Sequence, residues 1–444
     1  MIVEVRLRTR VVPNAYRDSV ELMRVAAELE AAAGIERAGV VMGTPANLGV
    51  LREAGLLDAS AAAAGPNDLI VAVAAVDDVA ADEAISRAAA LLTGSGADAG
   101  RRQGGAPGFV PTTIGEAVAE LPGADIALVS TPGTYAAAEA LKAIKHGLHV
   151  FLFSDNVSLD EEIELKTLAI ERDLLMMGPD CGTAILDGIP LGFANAVHRG
   201  RIGLIGASGT GLQQVSCLID RAGAGISQAI GVGGRDLSER VGGMMMLSAM
   251  TRLEADPGTV VIVLISKPPS EAVSSRILAA VRGMQTPVVV NFLGADDADV
   301  RDGGATPAAT FEAAALAAVA ISDGSTPGPV PAVDPGLMRA AHEAADGSRP
   351  GQTAVRGLFS GGSLAGEAKL ILKRAHVEHT IIDLGDDEYT VGRPHPMIDP
   401  RLRSERIITL PDDPAAAVLL LDIVLGTASH PDPAGALAPA IVEA

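Results

Sequence analysis

The chain has 444 residues, a formal net charge of −21 and 48% hydrophobic residues, with no Trp and only 2% aromatics. Its cores must therefore be aliphatic, and its acidic field repels nucleic acid and anionic membranes as general partners. Two cysteines, Cys181 and Cys217, make no disulfide framework or thiolate metal cluster. No run approaches the roughly 20 apolar residues of a membrane span. The alternating start "MIVEVRLRTR" also lacks the apolar stretch of a signal peptide, so the expected location is the cytoplasm.

In chain order, residues 1–92 read as a small α/β domain. "IVEVRLR", "RAGVVMG" and "NDLIVAVAAV" are strands; "DSVELMRVAAELEAAAGI" and "DEAISRAAALL" have helical spacing. The Gly- and Pro-rich stretch 93–111 reads as a linker. From 112 the alternation is regular: "ADIALVSTPG", "LHVFLFSD" and "LLMMGPD" are strands separated by helices. Apolar strands alternating with helices predict parallel sheets in an α/β fold, here a Rossmann-like domain over 112–198. A second series follows over 199–322, through "RIGLIGASGTG", "ISQAIGVGGRD", "TVVIVLISKPP" and "TPVVVNFLGA". Residues 323–350 read as a linker, and 351–444 repeat the logic in abbreviated form.

Two turns in these series share a form. "GLIGASGTGLQQV" and "GLFSGGSLAGEA" each place Gly and Ser between a strand and a helix. Glycines let the backbone approach a ligand closely, and the unpaired N–H groups of a helix start favour an anion. Ser208, Gly209 and Thr210 in the first turn, and Gly361, Gly362 and Ser363 in the second, are thus candidate phosphate ligands. Neither turn is a Walker A motif, because no Gly-Lys-Ser/Thr follows. Arg235, in the glycine-rich "GVGGRDL", is a candidate for holding an oxyanion bidentately. His395 lies between prolines in "GRPHPMIDP", close to Arg393, and rigid charged loops often carry function. Cys181 reads as structural, and His146 and His149 as helix-end residues.

The words "MMGPDCGTAI" (176–185), "RIGLIGASGTG" (201–211) and "GISQAIGVGGRDL" (225–237) resemble the α subunit of succinyl-CoA synthetase. Longer runs resemble the FdrA-type proteins, in which an α-like part is fused to a β-like flavodoxin domain. They are "MGTPANLGVL" (42–51), "FSDNVSLDEEIELKT" (153–167), "LISKPPSEAV" (264–273) and "TIIDLGDDEYTVGRPHPMIDP" (380–400). The resemblance implies a CoA-binding Rossmann-like domain with flavodoxin-like domains. It also implies two helix N-termini converging on one phosphate, one at "GASGTG" and one at "SGGSLAG".

The chain departs from the ligase pattern in the loop that carries the phosphorylated histidine there. The matching segment, 292–314, contains no His, and Lys267 stands where the ligase has a carboxylate. A cation suits holding phosphate directly. The resemblance to FdrA-type proteins implies carbamoyl transfer between phosphate and oxamate in allantoin breakdown, with phosphate or carbamoyl phosphate as substrate and CoA a possible ligand. Lys267, Arg235 and His395 are the expected catalytic residues, Arg393 and Asn291 the expected substrate contacts, and no metal is expected. Two alternatives are an acyl-CoA synthetase subunit and a non-catalytic subunit that binds phosphate or CoA. The expected partners are a small-molecule substrate, further subunits of a hetero-oligomer and copies of the chain itself.

Overall fold

The computed structural model describes residues 5–98, 111–390 and 394–444, apart from 16, 18 and 348. The chain divides into two compact units: residues 1–120 with 387–399, and residues 121–386 with 400–444.

The first unit begins with β1 (Arg6–Val12), α1 (Ser19–Glu30), β2 (Ile35–Met42), α2 (Pro45–Glu53) and α3 (Ala59–Ala62). β3 (Leu69–Ala75), α4 (Asp78–Asp98) and α5 (Ile114–Glu120) follow. β3 lies between β1 and β2 and is antiparallel to both, a split β-α-β arrangement. Every residue of β3 is buried, because each face has its own core. Val71 and Val73 face Leu22, Val25 and Leu29 of α1, and Ile70 and Ala72 face Leu51 and Ala61. α4 runs six residues into the stretch read as Gly-rich linker, to Asp98; residues 99–110 of that stretch lie outside the described residues.

The second unit holds three sheets. β4 (Ile126–Val129), α6 (Gly133–Lys145), β5 (His149–Leu152), α7 (Leu159–Glu171) and β6 (Met176–Met177) build a small parallel sheet. β7 (Thr183–Leu186) and β8 (Ile189–Gly192) form a hairpin, with φ positive at both Asp187 and Gly188. β9 (Arg199–Ala207), α8 (Gly209–Arg221), β10 (Ile226–Gly231), α9 (Met244–Ala255) and β11 (Val261–Ser266) come next. They are followed by α10 (Glu271–Val281), β12 (Val288–Phe292), α11 (Asp297–Asp302), β13 (Thr306–Pro307) and α12 (Phe311–Ser322). The resulting seven-stranded sheet has the order β13-β12-β11-β9-β10-β7-β8. β9 to β13 are parallel, and β7 joins antiparallel beside β10.

Part of the second expected linker is a helix, α13 (Pro335–Asp346), capped by Asp334. β14 (Ala354–Phe359), α14 (Gly362–Arg374) and β15 (His379–Asp383) then begin the third sheet. α15 (Asp387–Thr390) falls in the segment that belongs to the first unit. α16 (Arg401–Ile408), β16 (Ala416–Leu421) and α17 (Pro433–Glu443) complete the chain, and the parallel order is β15-β14-β16. α8 packs against both α12 and α14. On α14, Glu367 accepts the Phe311 N–H at the start of α12 (2.7 Å). The third sheet is thereby seated on the seven-stranded one, with carboxyl-end turns of both sheets in contact at α8 and α14.

Candidate functional site

In open α/β sheets ligands gather at the carboxyl ends of parallel strands. Here β9 ends at Ser208, β11 at Lys267, β14 at Ser360 and Gly361, β15 at Asp383 and β16 at Asp422. The two Gly/Ser turns meet directly. Ser208 caps α8 by accepting the Gly211 N–H (3.0 Å), and its hydroxyl donates to Ser363 Oγ on α14 (2.6 Å). Thr210 lies against Gly361: a Cβ at position 361 would come within 2.5 Å of Thr210 Cγ2. The glycine is what lets the two helix starts touch. Among the described residues the Gly209 and Thr210 N–H groups donate to no acceptor, so the start of α8 retains donors aligned with its dipole.

The second turn differs. The Ser360 and Gly361 N–H groups and the Ser360 hydroxyl all donate to the buried Asp422 carboxylate, at 2.8–3.1 Å. Asp422 is balanced by Arg403, 3.0 Å away and 1% exposed, which also donates to the carbonyls of Leu358 and Asp422. The backbone anion seat at Gly361 is thus filled by the protein's own carboxylate. Burial pushes the Asp422 carboxyl up, opposed by Arg403 and the turn donors.

Lys267 and Asp383 flank Gly362, the first residue of α14. A Cβ there would run into Asp383 Oδ2 and approach Lys267 Nζ at 2.7 Å. The two side chains lie 4.0 Å apart; Lys267 is half exposed and Asp383 largely covered. Burial raises the Asp383 carboxyl, opposed by Lys267. The pair presents an accessible cation beside a largely covered carboxyl at the helix start.

The other expected residues lie elsewhere. The Arg235 guanidinium is committed to the Val157 carbonyl (2.8 Å) and Glu162 (2.9 Å). Glu162 and the neighbouring Asp236 pair with the fully buried Lys166, and Asp236 accepts the Met245 and Met246 N–H groups at the start of α9. This network fixes the GVGGRD loop to α7. Asn291 is fully buried, its amide donating to the Ala308 carbonyl (2.9 Å), so it presents no exposed atom to a substrate. His395 belongs to the first unit, where its Nδ1 accepts the Met397 N–H; burial pushes its imidazole down to about 4. Arg393 lies outside the described residues. Cys181 is buried and its thiol is pushed up to about 12 by desolvation, which removes it as a nucleophile. His146 caps α6.

Comparison with known proteins follows this division. The family model for a CoA binding domain matches residues 197–294, the region of Ser208 and Lys267 rather than 112–198. The CoA-ligase model matches 358–444, and the model described as AllF, heavy metal-associated domain matches 5–107. Residues 5–107 contain neither Cys nor His, the usual ligands of soft and borderline metals. No group of three His, Cys, Asp or Glu is placed to share an ion among the described residues. The residues present therefore do not fit a heavy metal. No helix of the described residues is long and apolar enough to cross a membrane.

Among relatives, the succinate–CoA ligase α subunit of Methanothermobacter thermautotrophicus is 27% identical over 40% of this chain and 61% of its own length. The sulfoacetate-CoA ligase subunit SauD of Bilophila wadsworthia is 26% identical over 32% of this chain and 50% of its own. YahF of Escherichia coli, described as uncharacterized, is 40% identical over 97% of this chain and 86% of its own length. With that near full-length identity and the CoA-binding and CoA-ligase matches in one polypeptide, the chain belongs to the FdrA-type family of the succinyl-CoA synthetase superfamily.

Proposed function

We propose that the second unit is an acyl-transfer site of the CoA-ligase type. An oxyanion held where α8 and α14 meet exchanges an acyl group with a thiol, CoA being the thiol substrate that the family matches suggest. The carrying observation is the Ser208–Ser363 hydrogen bond, which places two helix starts from two sheets at one point. A bound phosphate oxygen attacks the thioester carbonyl and the C–S bond breaks. The sulfur departs as a thiolate and takes its proton from solvent, while Lys267 and the α8 N–H groups offset charge on the phosphate and the carbonyl oxygen. Positioning supplies much of the rate. Two of the relatives named above are ligase subunits, and we infer that this chain also works with partner subunits.

Segment 292–314 has no His, so a phosphorylated imidazole is not part of this scheme. That absence also favours a second reading, direct carbamoyl transfer to phosphate, which uses the same attack on a different carbonyl. The names of the relatives support acyl-CoA chemistry better. The test is to supply purified protein, alone and with products of neighbouring genes, with acyl-CoA plus phosphate. Carbamoyl phosphate plus oxamate is run in parallel. Thiol release that disappears in Lys267→Ala supports the first reading; carbamoyl turnover alone supports the second. Turnover in neither assay, with partners present, refutes both.

A further inference from the structure

Thr183 opens β7, 2% exposed, and its Oγ1 has no hydrogen-bond partner among the described residues. Native interiors hold few such groups, and each calls for an explanation. This one lies 3.6 Å from where a Cβ on Gly209 would sit, at the first residue of α8. Gly209 thus keeps open a small space between a buried hydroxyl and a helix start whose first two N–H groups have no acceptor among the described residues. We propose that Thr183 is a ligand of the phosphate oxyanion, donating to the group that the Gly209 and Thr210 N–H groups hold. This rests on the acyl-transfer reading and adds to it a donor from a separate segment. The hydroxyl comes from an antiparallel strand inserted beside β10, so it fixes the depth at which the anion sits.

The phosphate group is either free phosphate or part of CoA, and the experiment separates them. Inorganic phosphate and CoA are each titrated calorimetrically into the wild type, Thr183→Val, Thr183→Ser, Gly209→Ala and Ser208→Ala. Valine replaces the hydroxyl at nearly the same volume, and alanine at 209 fills the space. The expected result is about tenfold weaker binding of one ligand in Thr183→Val. Serine should restore it, Gly209→Ala should also weaken it, and melting should be unchanged. A loss confined to phosphate assigns the free anion; a loss confined to CoA assigns its phosphates. If both ligands bind Thr183→Val as they bind the wild type while Ser208→Ala weakens either one, the Thr183 assignment is overturned and the site stands. If the wild type binds neither ligand, the acyl-transfer reading falls with it.

Discussion

Asp422→Ala tests the reading of the second turn. Arg403 is 1% exposed and has Asp422 as its charge partner, at 3.0 Å. Removing one member of a buried pair leaves an uncompensated charge, at about 3–5 kcal/mol. The Ser360 and Gly361 N–H groups lose their acceptor as well, which adds about 1 kcal/mol or more for each that stays dry. The expected loss is therefore about 5 kcal/mol, a large part of the 5–15 kcal/mol typical of a folded domain. With no Trp in the chain, urea unfolding is followed by far-ultraviolet circular dichroism, reading the transition of the second unit. The double variant Arg403→Met with Asp422→Asn removes both charges and keeps an acceptor for the turn. It should return to within about 1–2 kcal/mol of the wild type. A loss below about 1 kcal/mol in Asp422→Ala, the range of an exposed pair, would refute the claim that this carboxylate holds the turn.

Lys166→Met removes the buried cation shared by Glu162 and Asp236, leaving two buried carboxylates with Arg235 as the cation still paired to Glu162, and should cost about 3–5 kcal/mol by the same measurement. Native protein treated with a thiol reagent at pH 8 should leave Cys181 unlabelled until urea is added, because its thiol titrates near 12; prompt labelling at Cys181 in native protein would contradict its burial. The imidazole of His395 titrates near 4 when folded, against 6.5 for the free group. Between those values the unfolded chain binds the extra proton, so stability falls as pH falls from about 6.5 to about 4. His395→Gln should flatten that part of the stability–pH curve.

The α/β alternation was legible because buried parallel strands are continuous apolar runs: "VVIVLIS" and "TPVVVNF" read as strands and are strands. The β7–β8 hairpin was missed, although Asp187-Gly188 between "TAIL" and "IPLG" is a strong two-residue turn signal. The two turns were legible as Gly/Ser punctuation, but the difference between them was not. Asp422 sits inside the apolar word "VLLLDIVLG" and Arg403 19 residues before it, so their pairing with the turn is a product of topology that no local pattern carries. Arg235 illustrates the converse. Its glycine-rich surroundings suggested a ligand contact, whereas its partner Glu162 lies 73 residues earlier on α7. Thr183 had a visible signal only in hindsight: a hydroxyl in an otherwise small and apolar stretch, "CGTAIL".

The bond between Ser208 and Ser363 has a consequence for how any anion arrives. Ser208 spends its only hydroxyl proton on Ser363, so an anion that accepts from both hydroxyls must first part them. Capture is then an exchange of one hydrogen bond for others, and the measured affinity is the difference between the two states. The resting contact keeps the helix starts in register without a ligand. Substituting either serine should therefore weaken the grip on the anion and, in the empty protein, loosen the seam between the two sheets.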